Sequence, residues 1–268
     1  MKWRQFLTPV KSVTAEKAKE LLQKDDKIRV LDVRQPKEYE RGHISGAKLI
    51  PIGELNDRLD ELRPEEPYLV YCAIGGRSRV AAQMLSGKGF ANIYNLSGGF
   101  KAWNGWTGFG DYEKGLEFFE GAAVLAEALE IALGMETALR EFYQEKTESV
   151  SDKEAKAVFK KLAGFEKAHE AILQKRLAEL GRDTGAADAS RALEGGMTTS
   201  EYMEALGLEG ESVEDALNFA MFVEAQAMDL YARAADRDDQ GLKDFFLGMA
   251  KEEKNHIDQL ANLMEALV

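Results

Sequence analysis

Cysteine, histidine and proline are all scarce in this 268-residue chain. The single cysteine, Cys72, rules out an internal disulfide and any zinc or iron site built from four thiolates. There are three histidines, His43, His169 and His256, few enough for their placement to carry information. Only five prolines, beside 45% hydrophobic residues, point to a sizeable core and no long disordered tract. Positive charge is also short. A net charge of -12 argues against a surface for nucleic-acid phosphates or anionic lipid headgroups. No apolar run approaches the roughly 20 residues that span a bilayer. The stretch Met1 to Ser12 has no apolar h-region, so no signal peptide is expected and a cytoplasmic setting is.

What is present changes character partway along the chain. Ile28 to Val33, Tyr68 to Cys72 and Asn92 to Leu96 are short apolar runs, as expected of buried strands. Helical patterns separate them at Ala15 to Lys24, Glu54 to Leu62 and Arg79 to Lys88. Such alternation predicts an α/β domain with a mostly parallel sheet, placed at residues 1–108. Ser97 to Gly115, rich in glycine and aromatics, reads as the junction. An all-α bundle is expected over 116–268, with long helices near 116–148, 152–180, 213–236 and 241–267. The second of these would start at a capping box, Ser151 to Glu154. A crossover from Gly181 to Glu211 is expected to hold a short helix near Thr199 to Leu206.

The bundle contains an internal repeat. Met135 to Tyr143 echoes Val223 to Tyr231, and Leu162 to His169 echoes Met249 to His256. The four helices are therefore two related hairpins. Their apolar seams hold carboxylates where core residues belong. Glu136 interrupts Leu125, Leu129, Ala132, Leu139 and Tyr143, and Glu224 interrupts Leu217, Met221, Met228 and Tyr231. Glu166 and His169 lie between Leu162 and Leu173, and Glu253 and His256 within Phe246, Met249, Leu260 and Leu263. Residues three apart share a helix face, so each Glu-x-x-His points both side chains one way. Each hairpin places its glutamates about 15 residues, or roughly 22 Å, from its turn. Four buried carboxylates would repel one another without compensation, and two divalent cations supply it.

This is the ferritin-like diiron pattern, and nearly all of residues 116–268 resembles the rubrerythrin branch of that superfamily. The resemblance implies two iron ions held by Glu136, Glu166, His169, Glu224, Glu253 and His256, with manganese suited to the same donors. Two features depart from true rubrerythrins. Ala227 stands where a further carboxylate is expected, and a cysteine-rich rubredoxin module is absent.

Tyr71 to Ser78 (YCAIGGRS) follows an apolar strand and opens a helix. Backbone amides and the positive end of a helix dipole would stabilise a Cys72 thiolate there. Gly75 and Gly76 let the loop curl into an anion cradle, and Arg77 adds positive charge. The loop resembles the Cys-x-x-Gly-x-Arg active-site loop of rhodaneses. Its flanks agree: Leu31 to Arg34 with Glu38-Tyr39 and Gly42 to Ala47, then Pro51, and Leu96 to Trp103 at the end. The resemblance covers about residues 5–105. It implies that Cys72, with Arg77, accepts a sulfane sulfur as a persulfide, lined by Ala73, Ile74, Gly75, Gly76 and Ser78. The donor would be a small sulfur-containing anion such as thiosulfate, and the acceptor a thiol. His43, Asp32 and Arg34 read as structural.

The leading expectation is a sulfurtransferase joined to a diiron redox domain that reduces peroxide or O2 with an external electron donor. The alternative is an iron-storing or iron-sensing protein with a rhodanese module for binding sulfur. Pairing of bundles into a homodimer is expected as well.

Overall fold

The computed structural model describes residues 10–120, 122, 124–182, 212–238 and 240–267. It divides into two compact units, Met1–Tyr112 and Glu113–Val268. The short helix expected near Thr199 to Leu206 lies outside the described residues.

The first unit is built on a five-stranded parallel sheet. Its strands are β1 (Lys11–Val13), β2 (Arg29–Asp32), β4 (Ala47–Leu49), β5 (Tyr68–Tyr71) and β6 (Ile93–Leu96), in the order β1-β6-β5-β2-β4. A two-stranded antiparallel ribbon pairs β3 (His43–Ile44) with β7 (Thr107–Gly108). Three helices accompany the sheet: α1 (Ala15–Lys24), α2 (Pro36–Glu40) and α3 (Gly76–Gly87). The side chains of β5 alternate between two apolar layers. Tyr68 and Val70 join one, with Leu31 and Leu85, while Leu69 and Tyr71 join the other, with Val30 and Leu96. A central parallel strand covered on both faces reads as an unbroken apolar run for this reason.

Two expected boundaries move. Glu54 to Leu62 is not an α-helix but a set of turns ending in one 3-10 turn, Leu59–Glu61. Pro51 and Pro64 bracket the segment, and Pro64 disfavours helical backbone at the residue before it, Arg63. Helix α3 begins three residues earlier than the apolar pattern indicates, directly after the cysteine loop.

The second unit is a four-helix bundle: α4 (Leu125–Ser149), α5 (Lys153–Glu179), α6 (Val213–Arg237) and α7 (Lys243–Leu267). The first helix starts nine residues later than expected. Gly115 takes a left-handed conformation, and Leu116–Phe119 forms a separate 3-10 turn. There the Phe119 ring packs edge-on against Phe246, at 4.9 Å, instead of extending α4. Leu125 is accordingly exposed, not a seam residue, and Met221 and Met228 are only half-buried. The cap of α5 is Asp152 and not Ser151. Its carboxylate accepts the amides of Glu154 and Ala155 at 3.0 and 2.7 Å.

The bundle core comes in two apolar blocks. One gathers Leu139, Tyr143, Phe159, Leu162, Phe219 and Val223. The other gathers Leu129, Leu133, Leu173, Ala227, Phe246 and Met249. On every helix a gap separates the blocks, and the seam carboxylates and histidines fall in that gap. No helix among the described residues is long and apolar enough to cross a membrane.

Candidate sulfur site and metal centre

Cys72 immediately follows β5, the middle strand of the parallel sheet, at its carboxyl end, where open α/β sheets place their ligands. The residue is buried, and its Sγ accepts the Gly75 amide at 3.1 Å. Burial raises the thiol pKa. Hydrogen bonds from the Ser78 side chain and amide, and from the amides of Ile74 and Gly75, outweigh it and hold the thiol below its ordinary value. The Ser78 hydroxyl has one proton and two acceptors, Asn95 Oδ1 at 2.7 Å and Cys72 Sγ at 3.5 Å. The shorter bond goes to Asn95, so the backbone amides are the dependable donors to sulfur.

Gly75, not Gly76, supplies the conformational freedom of the loop. Its φ is +93°, whereas Gly76 is an ordinary first residue of α3. A second support lies beneath. The amides of Phe100 and Lys101 donate to the Cys72 and Ala73 carbonyls at 2.7 and 3.0 Å. Gly99 has a φ of +60°, and a Cβ there would collide with the Cys72 carbonyl. The Gly98-Gly99 pair therefore fixes the height of the loop.

The positive charge of Arg77 is paired with a carboxylate. Its two terminal nitrogens donate to the two Glu38 oxygens at 2.8 and 2.7 Å. That bond, against the cost of burial, holds Glu38 down at about 2. The residues read as structural are buried in supporting roles. Arg34 pairs with Asp32 at 2.7 Å and donates to the Gly42 carbonyl, and His43 stacks on Tyr39 at 3.5 Å.

In the bundle the six expected ligands come together as two matched triads. Glu136, Glu166 and His169 come from α4 and α5, and Glu224, Glu253 and His256 from α6 and α7. Within each triad the candidate donor atoms lie within 4.8 Å of one another. His169 Nδ1 is 3.2 Å from Glu166 and 3.5 Å from Glu136. His256 Nδ1 is 2.9 Å from Glu253 and 3.3 Å from Glu224. The two imidazoles stack at 3.9 Å, which joins the triads into one layer. All four carboxylates are at least 98% buried.

The layer fits a pair of divalent cations. Glu166 Oε1 is buried and accepts no hydrogen bond among the described residues. Burial raises the Glu166 pKa, and the nearby Glu224 adds to the rise against the lowering effect of His169. Burial pulls His256 down, yet Glu224, Glu166 and Glu252 together lift it above its ordinary value. Four carboxylates between two apolar blocks are balanced in charge by two divalent ions, and oxygen with imidazole donors suits iron or manganese.

Five polar residues of the bundle, all but Arg140 buried, are absent from the seam pattern. Arg140 donates to Glu170 at 2.8 Å, and both stand one turn beyond a ligand, Glu136 and Glu166. Asp229 and Arg233 form a buried pair at 2.7 Å, and Arg233 also donates to the Lys114 carbonyl. Gln226 is buried as well. The i,i+4 spacing of Asp229 and Arg233 is a signal for that pair in the sequence.

An α/β domain with an amide-lined cysteine is followed, then, by a bundle with a carboxylate and histidine layer. A family model described as Rhodanese-like domain matches residues 14–105, and one described as Rubrerythrin matches residues 107–177. Thiosulfate sulfurtransferase GlpE of Ectopseudomonas mendocina is 33% identical over 97 residues, 36% of this chain and 87% of its own length. The uncharacterised protein YqhL of Bacillus subtilis is 48% identical over 79 residues, 30% of this chain and 63% of its own. A rhodanese-like domain protein of Staphylococcus aureus, known by its crystal structure, is 34% identical over 35% of this chain and 92% of its own, with a TM-score of 0.34. The chain belongs to the rhodanese-like family through its first domain and carries a rubrerythrin domain of the ferritin-like type after it. It spans somewhat under two thirds of the length of its Bacillus relative.

Proposed function

We propose that this protein is a sulfurtransferase that carries sulfane sulfur on Cys72, joined to a diiron-carboxylate redox domain. The working divisions would be residues 1–108 and 116–268. The observation that carries the sulfur half is the Cys72 thiol, hydrogen-bonded by the Gly75 amide and lowered in pKa. A thiolate attacks the outer sulfur of a donor such as thiosulfate. A Cys72–S bond forms, the donor S–S bond breaks, and sulfite leaves with the electron pair. The persulfide then passes its outer sulfur to an acceptor thiol. Amides of the loop from Ala73 to Ser78 hold the negative charge at each stage.

The observation that carries the metal half is the layer of four buried carboxylates and two partly buried imidazoles. Glu136, Glu166, His169, Glu224, Glu253 and His256 would hold two iron ions. When bound, the pair would supply electrons for reducing peroxide or O2. The apolar blocks above and below exclude bulk water from the layer, and the Arg140–Glu170 pair fixes one rim of it. Removing peroxide or O2 would protect a persulfide, which oxidises readily. A cytoplasmic setting and pairing through the bundle remain part of this proposal, and the electron donor is an external partner.

Two assays test the halves separately. Intact mass after incubation with thiosulfate should show one added sulfur, lost in Cys72→Ser. Peroxide consumption by iron-loaded protein should fall to background in Glu136→Ala. Unchanged consumption would favour the reading of the bundle as an iron store or sensor.

A further inference from the structure

The rim of the sulfur loop carries a fixed charge pair, Arg77 with Glu38. Glu38 reaches Arg77 from α2 with both oxygens, at 2.7 and 2.8 Å. The same carboxylate accepts the Gln35 amide at 3.2 Å, so it is held from two sides. Arg77 stands close enough to Cys72 for the two to interact, although the bond to Glu38 is its larger influence. Glu38 therefore offsets the Arg77 charge beside the sulfur. Ile74, two residues past Cys72, is 71% exposed, an apolar surface on the same loop.

These features sort donors by charge. A free arginine would draw a dianion toward the thiolate, whereas a guanidinium paired with a carboxylate acts only as a dipole. Thiosulfate brings two negative charges to a third. An alkyl persulfide brings one, with a hydrocarbon group that can rest on Ile74. We infer that Glu38 is a specificity-determining residue of the sulfur site, which neutralises Arg77 and so favours organic persulfides with an apolar group over thiosulfate.

The inference rests on the reading of Cys72 as a persulfide carrier. With an alkyl persulfide the step is Cys72–S⁻ plus R–S–S⁻ giving Cys72–S–S⁻ plus R–S⁻. One S–S bond breaks and one forms. The leaving thiolate takes the electron pair, and no external oxidant or reductant is used.

The test compares kcat/KM for thiosulfate and for butyl persulfide in the full chain, with the sulfur added to Cys72 read by mass. The ratio of the two does not depend on how much of a variant is folded, because the same active molecules serve both donors. Wild type should prefer butyl persulfide by about tenfold or more, and Glu38→Gln should shift the ratio toward thiosulfate by about tenfold. Glu38→Asp, which keeps the charge, should hold the ratio within about twofold of wild type. A wild type that prefers thiosulfate overturns the inference. So does an unmoved ratio in Glu38→Gln, or an equal shift in Glu38→Asp. Failure of both donors to leave sulfur on wild-type Cys72 would instead overturn the reading of Cys72 itself.

Discussion

The two sites of this chain solve opposite problems with opposite materials. The cysteine loop surrounds one thiol, and it donates hydrogen bonds to the sulfur mainly from backbone amides of a few consecutive residues. The bundle layer gathers six candidate donors, all of them side chains spread over four helices. The first site is sensitive to any atom that displaces backbone. The second tolerates its backbone well and is sensitive to the identity of each side chain.

Substitutions can sharpen that contrast. The largest expected effect is complete. Cys72→Ser should abolish sulfur transfer and leave iron binding by the bundle intact, read by mass and by metal analysis on the same sample.

Gly99→Ala changes no functional group, yet it should destabilise the first unit by roughly 3 kcal/mol, because a left-handed residue and the Cys72 carbonyl cannot both keep their places. Denaturant titration of the full chain should show one transition shifted. A neutral result would mean the loop does not rest on Gly99.

Glu166→Gln should have effects of opposite sign in the two metal states. Without metal it removes a buried charge and should raise the stability of the bundle by about 1 to 3 kcal/mol. With iron added it should weaken binding, so that the wild type becomes the more stable protein. Thermal melts with and without a chelator would show the crossing, and parallel curves would contradict a metal role for this carboxylate.

The smallest effect concerns pH. Arg77 holds Glu38 below its ordinary value of 4.5, at about 2. The contribution of the pair to stability is therefore full above about 4.5 and lost as pH falls toward 2. The gap in melting temperature between wild type and Glu38→Gln should close across that window.

The contrast also governs what could be read from the sequence. The gathering of the carboxylates and histidines was legible because helical spacing converts directly into a shared face, and Glu136 and Glu224 stand out in apolar seams. The strand before Cys72 and the helix after it were legible for a similar local reason. The Arg77–Glu38 pair was not, since its partners are 39 positions apart and only the fold brings α2 to the loop. The role of Asn95 behind Ser78 was hidden in the same way. The late start of α4 escaped because Leu116 and Phe119 are apolar at helical spacing yet pack as a separate turn. Glu54 to Leu62 looks helical by composition but folds as turns around a single 3-10 turn.

The most direct test is the iron content of the full chain, purified without added metal and again after anaerobic reconstitution. The account predicts about two irons per chain, lost in Glu136→Ala. No bound iron under either condition would contradict it and leave a sulfurtransferase with a helical domain of another purpose.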